Sequence, residues 1–564
     1  MKKLRWQLII ICITGLVVGV LLLVQQPGAD NPGGLFSPNE SQSGGSYTEA
    51  LVGSLQRLNP LLDYYNSVDR DVNRLVYSRL ITFDDTGLPQ ADLAESWGVS
   101  RDGTVYNIVL RPDVLWHDGR KLTAADVVFT VEMLRAGGDV VPPDLIAFWS
   151  EVEVEALSDT ALQFRLPEPF APFLDYLSFG ILPQHIFGSF SFAEMIDSPA
   201  NLAPIGSGPY RFDRLIVEDG QIAGLILTAN PDYYLDRANI ETLVFRYYPT
   251  SAAALQAYQD DVVQGVATIT SDVLGAALAE PDLALYTGRR PELALVLFNL
   301  NNPDVDFFQD AAIRRALLQA LNRQYMVDRV LGGQAILADG VILPGTWAHH
   351  PGLGQLAYDP AAALQVLKEA GYILADENAT VRSNEGRSFQ FTLLYPDTPQ
   401  HQALAERIQT DWQALNLGVT LEAVPYDQLI GERLAGRNYQ AALVDLNLSR
   451  TPDPDPYPFW DQVQSTGGQN YSQWSNAMAS EHLENARVAV DISERMRLYN
   501  NFQVIFAEEL PALPLYYPVY TYAVRRDVQG VRMGPLFDTT DRFVSVLDWY
   551  LAAAGPQLDP TPTP

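Results

Sequence analysis

Residues able to do covalent or metal chemistry are few in this chain. Six histidines and one cysteine stand among 564 residues. Cys12 lies in an apolar stretch, so no disulfide framework, zinc knuckle or cysteine nucleophile is available to the folded part. His349 and His350 are adjacent. Neighbouring side chains point in different directions on most backbones and chelate poorly, so an ordinary loop pair is expected there. His117 stands in Trp116-His117-Asp118-Gly119, beside a turn, and a structural hydrogen bond is its expected role. The sequence has no G-x-S-x-G, no H-E-x-x-H and no G-x-x-x-x-G-K-[ST]. Its 68 carboxylates produce close acidic pairs by chance, so spacing alone does not mark a two-carboxylate hydrolase. One stretch draws notice: NLSRTPDPDPYPFW, residues 447–460, after the apolar run Ala441–Leu446. It carries Asp453, Asp455, Tyr457 and Trp460, and Asn470, Tyr471 and Trp474 follow. Aromatic walls suit a cleft that holds peptide backbone, sugar rings or apolar side chains. Core packing accounts better for each aromatic taken singly, and caps in a proline-rich turn account equally well for both Asp.

Strands and helices must alternate to position such a loop. Tyr106, Ile108 and Leu110 alternate with polar neighbours after an Asp102-Gly103 turn signal and predict a strand. Leu162, Phe164 and Leu166 do the same. Thr123 and Asp126 have capping-box spacing, and Val127, Val131 and Leu134 share one face of the helix that follows, up to Gly137-Gly138. Asp359 and Pro360 supply an N-cap and first-turn proline, and Gly371 a C-terminal stop. Phe389, Phe391, Leu393 and Tyr395 alternate as a strand; Leu404, Ile408, Trp412 and Leu415 form a helical stripe; Val419, Leu421 and Ala423 form another strand. That unit predicts a crossover between parallel strands. No fixed-period repeat is present, which argues against solenoids and propellers.

Length requires two to four packed lobes. The composition, 47% hydrophobic and 10% aromatic, is globular. A formal charge of −31 has the wrong sign for tracking phosphates, which excludes a nucleic-acid partner, and it favours a soluble monomer. The N-terminus carries Lys2, Lys3 and Arg5 before an uncharged run from Leu8 to Val24. As a helix that run would measure about 25 Å, close to the bilayer core, with the rest of the chain exported. Residues 1–25 are therefore expected to be an anchor or a signal segment. The anchor is favoured because no A-x-A site follows the run; lipidation at Cys12 fits poorly, because isoleucines precede it. A Gly/Pro/Ser-rich linker, 26–45, follows, and residues 552–564 read as an extended tail.

Several motifs in order resemble the family 5 solute-binding proteins of ABC importers, the peptide, dipeptide and nickel group. The longest is ADLAESWGVSRDGTVYNIVLRPDVLWHDGRKLTAADVVFTVEML, residues 91–134. Pro204-Ile-Gly-Ser-Gly-Pro-Tyr210, Asn230-Pro-Asp-Tyr-Tyr234, residues 298–333 and Tyr358-Asp-Pro through Ala370-Gly-Tyr372 follow, with Ser207 where the family has Thr. The resemblance runs from Tyr47 to about Asp548. It implies an α/β, two-lobed periplasmic-binding-protein-like fold (type II, cluster C) with an additional inserted domain, mixed sheets and a hinge between the lobes. Lobe I would comprise 46–82, 205–295 and 515–551, the inserted domain 83–204 and lobe II 296–514. Gly206 and Gly208 would allow a tight turn back into lobe I.

The resemblance also implies function: an extracytoplasmic binding component without catalysis, cofactor or resident metal. It would be tethered to the membrane by its N-terminal segment. It would capture an oligopeptide or dipeptide by hinge closure and deliver it to ABC permease subunits. In peptide-binding members the loop at 447–460 carries a carboxylate that pairs with the ligand amine, which makes Asp453 and Asp455 candidates. Superposing the Asp-Pro steps instead puts that position on Arg450 or Pro452. Tyr64 and Tyr65 from lobe I, Trp347 from the opposite lobe, and Tyr457, Trp460, Asn470, Tyr471 and Trp474 complete the expected ligand-binding set. An oligosaccharide or metal-chelate binder of the same fold, a cleft hydrolase and a ligand-sensing receptor are the alternatives.

Overall fold

The computed structural model describes residues 44–449 and 452–552. The expected anchor, Cys12, most of the linker, Arg450 and the tail after residue 552 lie outside them. Among the described residues, no helix is long and apolar enough to cross a membrane.

The main sheet has twelve strands, eleven of which position the site. In lobe I these are β1 (Ser46–Val52), β2 (Tyr210–Glu218), β3 (Gln221–Ala229), β4 (Thr242–Tyr248), β5 (Gly265–Val266) and β6 (Leu283–Arg289). In lobe II they are β7 (Glu292–Phe298), β8 (Gln390–Pro396), β9 (Gly418–Val424) and β10 (Ala441–Asn447). The last, β11 (Ala512–Arg525), belongs to both lobes. The spatial order is β9-β8-β10-β7-β11-β5-β1-β4-β3-β2, with β6 also on β11. The predicted parallel unit is present: β8 and β9 pair in parallel from Gln390↔Gly418 to Pro396↔Val424.

Strand β11 explains the division into lobes. Its first half, Ala512 to Tyr516, pairs with β7, and its second half, Val519 to Arg525, pairs with β6. Strands β6 and β7 follow each other across Arg290-Pro291, where Arg290 N–H donates to the Pro518 carbonyl at 2.8 Å. Two adjacent chain crossings therefore join the halves. The apolar cores divide at the same place. The lobe II core draws on Leu293 to Tyr517; lobe I has a large core from Tyr47 to Ala267 with Tyr520 to Trp549, and a smaller one from Ala50, Ala254 to Leu283 and Ala523. Lobes with separate cores, linked by two extended strands, form a hinge.

The segment between β1 and β2 forms its own four-stranded antiparallel sheet, from Ala94–Val99, Val105–Leu110, Ala161–Arg165 and Glu153–Ser158 in that spatial order. Its side chains, among them Trp116, Trp149, Phe164 and Phe173, join the lobe I core. Helix α1 (Ser67–Val76) lies in lobe I. Helix α2 (Ala124–Arg135), in the inserted domain, has the expected capping box: both Thr123 and Asp126 satisfy orphan N–H groups. His117 has its expected structural place, bonded to Gly206 N–H and to the Gly208 carbonyl; burial lowers its pKa to about 4. Gly206 and Gly208 serve differently from expectation. Neither needs a positive φ. A Cβ at either would meet the Val76 or Leu75 carbonyl at 1.9 or 2.4 Å, so close passage past α1 is what requires glycine.

Candidate functional site

Strand register determines where a ligand can sit. In lobe II, β10 runs antiparallel to β7 with Asn447 opposite Glu292, the first residue after the hinge. The C-terminal end of β10 therefore faces the hinge, and so do those of its parallel partners β8 and β9. In lobe I, β5 pairs antiparallel with β11, Val266 opposite Ala523, and β1 and β4 run parallel to β5. Their C-terminal ends also point toward the hinge. Both lobes thus turn the carboxyl ends of their parallel strands to one crevice, where α/β sheets receive ligands.

The lobe II wall of that crevice is acidic and aromatic. Asp445, near the end of β10, stands opposite Ala294, which pairs in turn with Tyr516 of β11. Helix α3 (Pro399–Gln413) starts just after β8 and brings His401 to this edge. His401 Nε2 lies 2.9 Å from Asp445 Oδ2, and its Nδ1 lies 2.7 Å from Thr398 Oγ1. Thr398 is the N-cap of α3, and its hydroxyl also accepts from His401 N–H at 3.2 Å. Glu292 pairs with Arg290 at 2.6 Å. Burial raises Glu292 above the usual carboxylate range, with the Asp445 charge adding to it. Burial and then the Asp445 charge raise the hydroxyls of Tyr516 and Tyr426, which keeps them protonated donors. Asp445, Glu292, His401, Tyr426 and Tyr516 were not singled out from sequence. Their signal was present, since Asp445 ends an apolar strand and His401 opens the helix after another.

The residues expected from sequence divide into three groups. Trp347, Asp453, Asp455 and Tyr457 come together around two arginines. Asp453 is 4% exposed and holds Arg495 Nη2 at 2.5 Å; it also accepts from Tyr499 Oη at 3.3 Å. Arg495 comes from helix α5 (Ile492–Glu509) and lies over the Trp347 ring at 5.0 Å. Asp455 pairs at 3.3 Å with Arg487 of helix α4 (Ala477–Val488), and that guanidinium covers the Tyr457 ring at 4.3 Å. Burial pushes Asp455 up to about 6, against the pull of Arg487. Both carboxylates are therefore already paired within the protein.

Trp460, Asn470 and Trp474 lie in the lobe II core. Trp460 packs edge-on to Phe506, Asn470 bonds the carbonyls of Asp461 and Trp474, and Trp474 Nε1 donates to Glu509 at 2.6 Å. Tyr471 stacks with Arg437. In lobe I, Tyr64 packs on the core edge, and Tyr65 is 71% exposed before α1. His349 bonds Asp339 at 3.2 Å, in keeping with a loop pair. No cluster of three or more metal-ligating side chains occurs among the described residues.

The family model "Bacterial extracellular solute-binding proteins, family 5 Middle" matches residues 89–470. The oligopeptide-binding protein AppA of Bacillus subtilis (strain 168) is 25% identical over 559 residues, 98% of this chain and 100% of that protein. The dipeptide-binding protein of Escherichia coli (strain K12) is 26% identical over 517 residues, 86% of this chain and 91% of that protein. In fold, HbpA2 from Haemophilus parasuis superposes with a TM-score of 0.77 at 22% identity, covering 88% of this chain and 99% of that one. The family match over most of the folded chain, on a hinge with two facing strand edges, establishes that this protein belongs to the bacterial extracellular solute-binding proteins of family 5.

Proposed function

We propose that this protein captures short peptides in the crevice between its lobes, closes on them by hinge bending and delivers them to ABC permease subunits. It does so outside the cytoplasm, held at the membrane by its N-terminal apolar segment, and carries out no reaction. The observation that carries the reading is the lobe II wall. Asp445 and Glu292 supply negative charge beside phenol hydroxyls and a histidine, at the strand ends that face the hinge. A peptide ammonium needs a carboxylate partner when it leaves water; Asp445, paired with His401 but partly exposed at this edge, supports that role. The peptide names of the two full-length relatives support the same class. The Thr398–His401–Asp445 chain has the element order of a hydrolase relay. Thr398 is committed to capping α3, which supports binding rather than turnover.

Calorimetry on the full chain tests this with Ala-Ala-Ala and N-acetyl-Ala-Ala-Ala. The free peptide should bind at least about tenfold more tightly, the scale of one buried charge contact. Asp445→Asn should erase that difference, and Asp453→Asn should leave it in place. Binding of oligosaccharides or nickel chelates with no peptide binding would overturn the peptide class. Peptide cleavage lost in Asp445→Asn would establish the hydrolase instead.

A further inference from the structure

The chain enters the inserted domain through a hairpin whose tip reaches lobe II. Its strands, Ile81–Phe83 and Pro89–Ala91, pair antiparallel with Phe83 opposite Pro89. The residues between them are held by their own bonds. Asp84 Oδ1 accepts from Thr86 N–H at 2.8 Å, Thr86 Oγ1 at 2.7 Å and Leu88 N–H at 3.1 Å, and Gly87 N–H donates to the Asp84 carbonyl at 2.9 Å. The tip is therefore a preformed finger, and it lies between two bodies. On the lobe II side, Trp347 N–H donates to the Thr86 carbonyl at 2.9 Å, and Leu88 packs against the lobe II core. Gly87 is buried, although Asp85 and Thr86 beside it are exposed. A Cβ there would meet Pro452 Cβ of lobe II at 2.9 Å and the Phe537 ring of lobe I at 3.0 Å, and its φ is +86°. Glycine is thus required twice, by the turn and by the narrow gap. Phe83 rests edge-on against the same Phe537, at 6.4 Å.

From the tip a seam continues between the inserted domain and lobe II. Asp453 N–H donates to Oδ2 of Asp175, in the 3-10 helix Ala171–Leu177, at 2.5 Å, and Arg487 lies over the Phe170 ring at 5.1 Å. None of these residues belongs to the hinge strands β6, β7 and β11. A bend that parts the lobes must break such contacts, so they stabilise the closed form alone. We propose that the hairpin tip, Thr86–Leu88, is a latch of the closed form. It joins the inserted domain to lobe II when the lobes close, and it withdraws from between Trp347 and Pro452 when they open, the inserted domain travelling with lobe I. The chemistry suits a latch that lets go. Its polar part is one backbone hydrogen bond, whose two groups find water once parted, and its apolar part is one leucine. Contacts of this size shift a two-state balance by about tenfold without locking it. The closed population in turn scales the apparent affinity for any solute that binds only the closed form. The latch rests on the hinge-closure reading but not on the identity of the solute.

The test needs no ligand. The full chain carrying Cys12→Ser receives spin labels, two at a time, at three exposed positions: Leu278→Cys in lobe I, Leu157→Cys in the inserted domain and Met478→Cys in lobe II. Pulsed electron resonance reads their separations. Position 478 should show a closed and an open distance to both 278 and 157, and positions 157 and 278 a single distance to each other. Replacing Asp84–Leu88 by Asn-Gly, a two-residue turn that closes the same hairpin, should lower the closed-to-open ratio about tenfold. Leu88→Ala keeps the turn and should lower it about threefold, which decides the matter even if the shortened hairpin fails to fold. A ratio unchanged in both variants would overturn the latch. So would one unvarying distance between 278 and 478 in parent and variants alike. A fixed distance between 157 and 478 with a varying one between 157 and 278 would also overturn it, because the inserted domain would then travel with lobe II. Failure of peptides to bind would overturn the proposed solute while leaving these distances unaffected.

Discussion

Arg542 and Arg495 are each buried beside two carboxyl groups, the first inside lobe I and the second at the seam with lobe II. Arg542 touches both of its anions, Glu49 at 2.8 Å and Asp71 at 2.5 Å. Tyr47 and Tyr522 hydroxyls donate to the remaining Glu49 oxygen at 2.9 and 2.8 Å. Every partner there belongs to one core, so nothing separates when the lobes move. The pair also ties β1 to residue 542, across nearly the whole chain, which closes a lobe assembled from distant segments. Arg495 touches only one of its two anions, and the other comes from the inserted domain. The same residue types therefore tie segments of one core together in lobe I, and meet across the contact between inserted domain and lobe II at Arg495.

The strongest way to break this comparison is Arg542→Met. It leaves Glu49 and Asp71 buried without a cation and should cost about 3–5 kcal/mol, or prevent folding, as read by urea denaturation. Arg495→Met should cost less, about 2 kcal/mol, the scale of lost charged hydrogen bonds, because its carboxylates can hydrate when the seam opens. Equal losses would mean that the seam never opens and that the two clusters are equivalent.

Asp63 sharpens the contrast from within lobe I. Asn73 Nδ2 donates to it at 2.8 Å, and burial pushes its carboxyl up to about 7. A carboxyl raised in the folded state contributes stability that is fully present below about pH 4, its unfolded value, and lost as pH rises through about 7. The melting temperature should fall by about 2–4 °C over that window. Asp63→Asn should flatten the profile. The smallest effect is expected from Trp474→Phe, which deletes the bond to Glu509 inside lobe II. It should cost about 1 kcal/mol in unfolding and leave peptide affinity unchanged.

Much of the fold was legible because its signals are local. The capping box at Thr123 and Asp126, the alternation at Tyr106 to Leu110 and the strand–helix–strand unit from Phe389 to Ala423 are set by backbone hydrogen bonding and side-chain period over a few residues. The site was legible only in part. The 447–460 loop showed two carboxylates and several aromatics, yet which of them would face solvent was undetermined. Trp460 and Trp474 went to the core because α5 supplied Phe506 and Glu509 beneath them.

By itself, then, the sequence determined the family, the alternation of strands and helices, and an acidic, cysteine-poor chain without recognisable catalytic motifs. Only the tertiary structure decided that Asp453 and Asp455 pair with Arg495 and Arg487, that Asp445 and His401 share the hinge-facing edge, and that Asp175 reaches lobe II. Periodicity and capping act between neighbours along the chain. The partner of a buried charge is set by distance in space and by exclusion of water, and neither is written in any one segment.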